Sequence, residues 1–152
     1  MGSPRAPDQV FGMRGHTLVE LLFVLLLLAV GTGAFVPAAR KLRDRAVASA
    51  GRETLVAGFA EARTTALRVG GSSLTIRRIS PAYRVDTANG TGSWVGLNEP
   101  HARIRIDAGR DSISVAFDRM GLGRFASHSI SVSVGEVERH LIVSSYGRVR
   151  RR

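Results

Sequence analysis

Apolar residues are concentrated in one run near the amino terminus of the chain. Residues 18–36 include a single charged side chain, Glu20. As an α-helix with a rise of about 1.5 Å per residue, this run would be about 28 Å long, which is close to the thickness of the hydrocarbon core of a bilayer. The pattern therefore predicts a helix that can cross a membrane.

The helical pattern continues beyond this run. Residues 38–69 contain no proline and are rich in helix-forming residues, with Gly51 and Gly58 as the weak points. Apolar residues recur there at spacings of three and four. This predicts one buried helix face made of Leu55, Phe59, Ala62, Ala66 and Val69. We expect the helix to begin near Thr17 and to end at Gly70 in a left-handed cap.

Short segments in which apolar and polar residues alternate follow the helix. Turn residues separate them at Asn89-Gly90, Ala108-Gly109 and Gly121-Leu122-Gly123. The predicted strands are residues 74–79, 83–86, 94–97, 102–107, 112–118, 129–134 and 139–144. The alternation predicts buried positions at Ile104, Ile106, Ile113, Val115, Phe117, Ile130, Val132 and Val134. The predicted fold class is α+β, a long amino-terminal helix packed on an antiparallel β-sheet.

Glu20 separates two interpretations of the apolar run. A cleaved secretory signal has an apolar run of about 7 to 15 residues before its cleavage site, and this run is longer. A carboxylate inside a membrane helix costs about 2.5 to 3.5 kcal/mol and therefore usually has a partner. If the chain were cut between Gly15 and His16, each subunit would carry a new amino terminus and one Glu20. Subunits packed side by side could then neutralise each other.

The segment Gly15-His16-Thr17-Leu18-Val19-Glu20-Leu21-Leu22 resembles the class III signal of type IV pilins and pseudopilins. The resemblance implies that prepilin peptidase cuts after Gly15 at the cytoplasmic face and methylates the new amino terminus. It also implies that Glu20 pairs with the terminal amine of a neighbouring subunit during filament assembly. Pro37 stands where pilins often have a proline that kinks the helix.

The resemblance divides the chain into a prepilin leader (1–15), the transmembrane half of the helix (16–37) and a soluble domain (38–152). It implies insertion into the bacterial inner membrane with a periplasmic soluble domain, followed by transfer into a filament of pilin or pseudopilin subunits. His16 stands where the family usually has Phe or Met, which leaves methylation open. Met13 is an alternative start that would leave a three-residue leader.

The composition narrows the chemistry of the chain. It has no cysteine, which excludes disulfides, thiolate catalysis and cysteine metal sites. The formal net charge of +10 favours an anionic partner, such as nucleic acid or acidic lipid head groups. All the basic residues except Lys41 are arginines, so a biased genome is the alternative explanation of the charge.

Three later segments resemble the FimT/GspH family of minor pilins. They are Glu61-Ala62-Arg63-Thr64-Thr65-Ala66-Leu67-Arg68 before Leu74-Thr75-Ile76, the turn Phe117-Asp118-Arg119-Met120-Gly121, and the closing Leu141-Ile142-Val143-Ser144-Ser145-Tyr146-Gly147-Arg148-Val149-Arg150. FimT-type proteins are minor subunits of type IV pili, and some bind DNA for uptake in natural transformation through a carboxy-terminal Gly-Arg-x-Arg element. GspH-type proteins are minor pseudopilins near the tip of the type II secretion filament.

The carboxy-terminal arginines bear on the choice between these functions. They are Arg148, Arg150, Arg151 and Arg152, and no acidic residue follows Glu138. We expect Gly147 to free the end of the chain from the last strand, so that the guanidinium groups can meet phosphate oxygens of double-stranded DNA. Four such contacts would give log K against log salt a slope of about −3.6. The alternatives for the tail are a solvated end and a filament contact.

The remaining candidate residues, which are two strand arginines, a tryptophan and the histidines, indicate less about function. Arg103 and Arg105 alternate with Ile104 and Ile106 and could add positive positions, or could be only the solvated side of a sheet. We interpret Trp94 as core or sheet packing rather than as a ligand platform. No metal-ligand spacing connects the histidines His16, His101, His128 and His140. We therefore expect no enzymatic activity and no cofactor.

Overall fold

The computed structural model describes residues 17–97, 101–124 and 127–152. The predicted leader and the predicted processing residues Gly15 and His16 lie outside these ranges. The chain divides into two compact units, Met1–Ala38 and Ala39–Arg152.

One α-helix, α1, runs from Leu18 to Val69. Its first turn is capped by Thr17, whose hydroxyl oxygen accepts a hydrogen bond from the Glu20 N–H at 3.3 Å. Threonine at the cap with glutamate three residues later is the pattern of a capping box, which satisfies amide groups at a helix start. The predicted start of the helix near Thr17 is therefore confirmed.

The first part of α1 is long and apolar enough to cross a membrane. Its leucines, valines and phenylalanines are exposed in the isolated chain, as a lipid-facing surface requires. The hydroxyl of Thr32 donates to the carbonyl oxygens of Leu28 and Ala29, each at 3.0 Å. This polar side chain is thus satisfied within its own helix.

The helix ends at Gly70, as predicted. Gly70 has a φ of +89°, and its N–H donates to the Ala66 carbonyl at 2.9 Å. Two residues later, the buried hydroxyl of Ser72 donates to the Ala62 carbonyl at 2.6 Å. The left-handed glycine and this hydrogen bond turn the chain directly from the helix into the first strand.

The described strands are short and antiparallel. They are Gly71–Arg77 (β1), Ala82–Thr87 (β2), Gly90–Thr91 (β3), Val95–Gly96 (β4), Arg103–Ile106 (β5), Ser112–Asp118 (β6), His128–Val134 (β7), Val137–Val143 (β8) and Val149–Arg151 (β9). A 3-10 helix, Asp107–Gly109, lies between β5 and β6. The predicted bounds of residues 112–118 are confirmed, whereas β3 and β9 were not predicted.

The strands form two sheets. One has the order β3-β2-β1-β6, with β4 also paired to β2, and the other has the order β5-β7-β8-β9. The prediction of an α+β fold, with a long helix packed on antiparallel β-sheet, is confirmed, and the structure divides the strands between two sheets rather than one. Alternation along a strand reveals which side chains are buried, whereas the pairing of strand edges depends on contacts distant in sequence.

The inner faces of both sheets and one face of α1 share the main hydrophobic core, and Ala48, Ala102 and Val134 form a smaller second cluster. The helix contributes Leu55, Phe59, Ala62 and Ala66, all buried. The predicted buried positions of the strands are confirmed at Ile104, Ile106, Ile113, Val115, Phe117, Ile130, Val132 and Val134. Val69 is wrongly predicted: 43% of it is exposed, because the helix ends there and the chain reverses at Gly70.

Gly51 and Gly58 are close-contact positions of α1 rather than weak points. A Cβ atom at Gly51 would lie 2.8 Å from Leu97 Cδ2, and one at Gly58 would lie 2.8 to 3.0 Å from carbon atoms of the Tyr83 ring. The helix thus approaches the side chains of the sheet layer more closely than any larger residue would allow. The lower helix propensity of glycine is the cost of this packing.

We expect the substitution Gly58→Ala to destabilise the protein. Helix propensity favours alanine by about 1 kcal/mol, but overpacking against Tyr83 costs about 1 to 3 kcal/mol. The expected net loss is about 1 kcal/mol in the free energy of unfolding, measured by urea denaturation. Ala57→Gly, at the exposed neighbouring position, measures the propensity effect alone. A Gly58→Ala protein more stable than the wild type would contradict the steric explanation.

Candidate nucleic-acid interface

The carboxy-terminal arginines belong to a strand. Residues 149–151 form β9, in which Val149 pairs with Val143, Arg150 with Ile142 and Arg151 with Leu141. The expectation that the end of the chain is free is therefore wrong. The sequence Val-Arg-Arg lacks the alternating apolar residues that predict a strand, and it becomes one through backbone pairing with β8.

Gly147 builds a tight turn between β8 and β9. Its φ is +79°, and its N–H donates to the Ser144 carbonyl at 2.8 Å. The Ser144 N–H in turn donates to the Arg148 carbonyl at 2.9 Å. A Cβ atom at this position would lie 2.7 Å from Phe117 Cε1. Glycine is needed here to return the chain to the sheet.

Arg151 holds β9 against the helix through Glu53. Its Nε and Nη2 atoms donate to the two carboxylate oxygens of Glu53 at 2.9 to 3.2 Å, which is a bidentate geometry. Arg52 Nη2 donates to the same carboxylate at 3.1 Å. The hydrogen bond from Arg151, and then that from Arg52, lowers the pKa of Glu53. The same contact raises the pKa of Arg151.

Arg148, Arg150 and Arg152 are exposed. Within the described part of the chain, the ion pair with Glu53 engages Arg151, and the structure places none of the other three beside a carboxylate. Arg63 of α1 and Arg148 line one depression of about 320 Å³. Sequence reasoning missed Arg63 as a neighbour of the tail, since the proximity arises only when β9 returns to the helix.

Arg103 and Arg105 lie on the outer side of β5, opposite the buried Ile104 and Ile106, as predicted. Arg105 Nη1 lies 3.9 Å from Glu138 Oε1. The pKa of Glu138 is lowered, first by a hydrogen bond from Ser131 and then by electrostatic interactions with His140 and Arg105. Arg105 therefore interacts with a carboxylate two strands away.

Trp94 packs on the surface of the other sheet rather than in the core. The guanidinium carbons of Arg77 and Arg84 lie 4.2 and 4.7 Å from its ring centroid. Each distance is within the range of a cation–π interaction. The prediction of sheet packing is confirmed, although 38% of Trp94 is exposed. The sequence did not reveal these two arginines as partners of Trp94, because Arg77 of β1 and Arg84 of β2 meet the ring only when the two strands pair.

The predicted site residues belong to different parts of the chain. Glu20 is an exposed residue in the first turn of α1, in the part of the helix that belongs to the first compact unit. The four tail arginines belong to the second unit, and Gly15 and His16 lie outside the described residues. In the described ranges, no group of three or more His, Asp or Glu residues is arranged to hold a metal ion.

Comparisons with protein-family models, with curated proteins and with solved structures return no match.

We expect the docking of β9 to weaken in acid. The pKa of Glu53 is lower in the folded protein than in the unfolded chain, so its contribution to stability is fully present above the unfolded pKa. This contribution disappears as the pH falls through the folded pKa. Amide hydrogen exchange of β9, corrected for its intrinsic pH dependence, should therefore accelerate between about pH 6 and about pH 3.

The Glu53→Gln protein should show fast exchange of β9 throughout this pH range. Glu136→Gln is the matched control, since Glu136 is an exposed turn residue after β7. Its exchange should follow that of the wild type. Equal protection of β9 in the wild type and in Glu53→Gln would show that the ion pair does not hold the strand.

Proposed function

We propose that the chain is a minor subunit of a type IV pilin filament that holds double-stranded DNA without reading its sequence. The observation that carries the DNA-binding part is the set of exposed arginines at β9 with no carboxylate beside them in the described structure: Arg148, Arg150 and Arg152. The filament part is supported by the helix long and apolar enough to span a membrane and by the segment from Gly15 to Leu22.

The proposed assembly begins in the bacterial inner membrane. Prepilin peptidase cuts after Gly15, His16 becomes the amino terminus, and the soluble domain lies in the periplasm. The apolar part of α1 then leaves the bilayer for the filament, where the helices of other subunits replace lipid. Glu20 carries the charge that sets the position of each subunit against the terminal amine of its neighbour, because an unpaired carboxylate in such a core is costly.

Glu20 also has a local structural role to be separated from this pairing. At the third helical position after Thr17, a carboxylate stabilises the helix start through the capping box and the helix dipole. Glutamine retains the hydrogen-bonding capacity of the capping box but removes the charge. Alanine removes both.

We expect Glu20→Gln and Glu20→Ala to insert into the membrane normally and to be lost from filaments. The measurement is the amount of each variant in sheared filaments, compared with its amount in the membrane fraction. Glu20→Asp, which keeps the charge, is the control and should be incorporated in part. Normal incorporation of Glu20→Gln into filaments would rule out charge pairing between Glu20 and a neighbouring amino terminus. The role of Glu20 would then be limited to capping the start of α1.

The arginines of β9 suit phosphate oxygens. Guanidinium groups donate several hydrogen bonds in one plane and remain charged, and contacts to phosphate carry no sequence information. Arg151 can contribute only after it leaves Glu53. Three arginines in phosphate contact would give log K against log salt a slope of about −2.7, and the release of Arg151 would bring it to about −3.6.

The second candidate is a minor pseudopilin of a type II secretion filament, with a structural role and no DNA binding. The docked position of β9 favours it, since Arg151 is engaged by Glu53 and the strand is paired with β8. In that case the exposed arginines would contact neighbouring subunits.

We expect replacement of the four tail arginines by glutamine to abolish most of the binding to duplex DNA. The full chain in a nonionic detergent is mixed with a labelled duplex, and retardation is measured on a native gel. The loss of up to four phosphate contacts should flatten the salt slope by about 2.7 to 3.6.

The matched control replaces four exposed arginines outside the tail: Arg43, Arg68, Arg110 and Arg119. It changes the net charge equally and should keep most of the retardation. Equal retardation by the wild type and the tail variant would overturn the assignment to the tail. The absence of retardation by the wild type would overturn DNA binding and favour the pseudopilin role.

A further inference from the structure

The four-stranded sheet has a polar outer face directed away from the core. Alternation in β5 places Ile104 and Ile106 inward and Arg103 and Arg105 outward. The strand register continues this outward side across β7, β8 and β9, where Ser131 is buried and Arg150 is exposed. We call this surface the outer face. Its residues are Arg103, Arg105, Ser129, Ser131, Ser133, Glu138, His140, Ile142 and Arg150.

The strand register arranges the outer face in rows across the sheet. One row is Arg103, Ser133 and Glu138, and the next is Arg105, Ser131 and His140. The third is Ser129, Ile142 and Arg150. Arginines thus occupy both edge strands, β5 and β9, while the strand β7 between them carries only small hydroxyl residues on this side.

Two depressions lie along the β5 edge of this face. One of about 560 Å³ is lined by Arg78, Ile79, Arg103, Ile104, Arg105 and Ser133. The other, of about 350 Å³, is lined by His101, Arg103, Ser133 and Gly135. Arg103 and Ser133 border both. The surface beside β5 is therefore concave and rich in guanidinium groups, which is a shape that a phosphate group can enter.

The charge balance of the outer face is positive. Its three arginines, Arg103, Arg105 and Arg150, outnumber two carboxylates: that of Glu138 and that of Asp107, which follows β5 and accepts a hydrogen bond from the Ser129 N–H. The Glu138 carboxylate lies 3.9 Å from Arg105 and also accepts a hydrogen bond from Ser131. The Arg105 side chain nevertheless remains 75% exposed. Arg78, at the rim of the larger depression, is paired with Asp111.

We propose that the sugar-phosphate backbone of double-stranded DNA lies across the outer face, from the arginines of β9 to Arg103 and Arg105 of β5. This inference rests on the proposed DNA-binding function and extends it from the tail to a surface. Three strand spacings of about 4.8 Å separate the two edges, a distance of about 14 Å. Along one DNA strand, at about 3.4 Å per phosphate along the helix axis, this distance corresponds to about four phosphates.

The contacts of this surface are to the backbone. Arginine and serine groups that meet phosphate oxygens position a duplex but do not distinguish base pairs. Contacts on the outer face therefore increase both the affinity for duplex DNA and the salt dependence of its binding. They leave the preference for particular DNA sequences unchanged.

The test compares Arg103→Gln/Arg105→Gln with the charge-matched Arg68→Gln/Arg119→Gln, whose residues are exposed and lie outside the four-stranded sheet. Duplex binding by the full chain in a nonionic detergent is followed by fluorescence anisotropy from low to high salt. Loss of two phosphate contacts should make the slope of log K against log salt shallower by about 1.8. The control pair should leave the slope of the wild type unchanged.

A third variant, Arg103→Lys/Arg105→Lys, keeps the charges and should retain most of the slope. Thermal unfolding of all variants should match that of the wild type, because both arginines are exposed. A shallower slope in the glutamine pair alone supports the outer face. Equal slopes in the glutamine pair and the wild type overturn it and leave the tail as the binding element. No binding by the wild type overturns the proposed function itself.

Discussion

The second compact unit, Ala39–Arg152, depends on the close approach of α1 to the residues of both sheets. Gly51 and Gly58 allow Leu97, Val132 and Tyr83 to reach the helix, and the buried helix face then closes one core between the two inner sheet faces. A helix held at a greater distance would leave voids along this core, which are costly in a close-packed interior. The positions of the strand edges, including β9, follow from this packing.

The helix has a second consequence for the end of the chain. Glu53 lies on α1 only two residues before the buried Leu55, so the docking of the core also fixes the carboxylate that receives Arg151. In the edge strand β9, Arg151 faces the helix and contacts Glu53. Arg150, one residue earlier, lies on the opposite side of the strand. The tail is thus divided between a structural contact and a charged surface, and only the second part is directly available to an anion.

Features of the fold that depend on residues close in sequence could be predicted, whereas features that depend on residues distant in sequence could not. The helix start near Thr17, the helix end at Gly70 and the alternation of β5 and β6 depend on neighbours in sequence, and the sequence predicts them correctly. The division into two sheets, the strand β9 and the partners of Trp94 depend on residues that meet only in the fold. Within the candidate site, the arginines could be named from sequence, but their attachment to the sheet could not.

The docking of β9 changes the physics of a positively charged tail. A mobile tail would lose chain and side-chain entropy each time it closed on a phosphate, and this loss reduces the affinity. A tail paired with β8 has lost most of its backbone entropy on folding, so its arginines meet an anion from fixed positions. The same pairing places Arg150 in the row of Ser129, next to the rows that contain Arg105 and Arg103, so charges far apart in sequence act as one surface. The strand that argues against a free tail is therefore the feature that joins the carboxy-terminal arginines to Arg103 and Arg105.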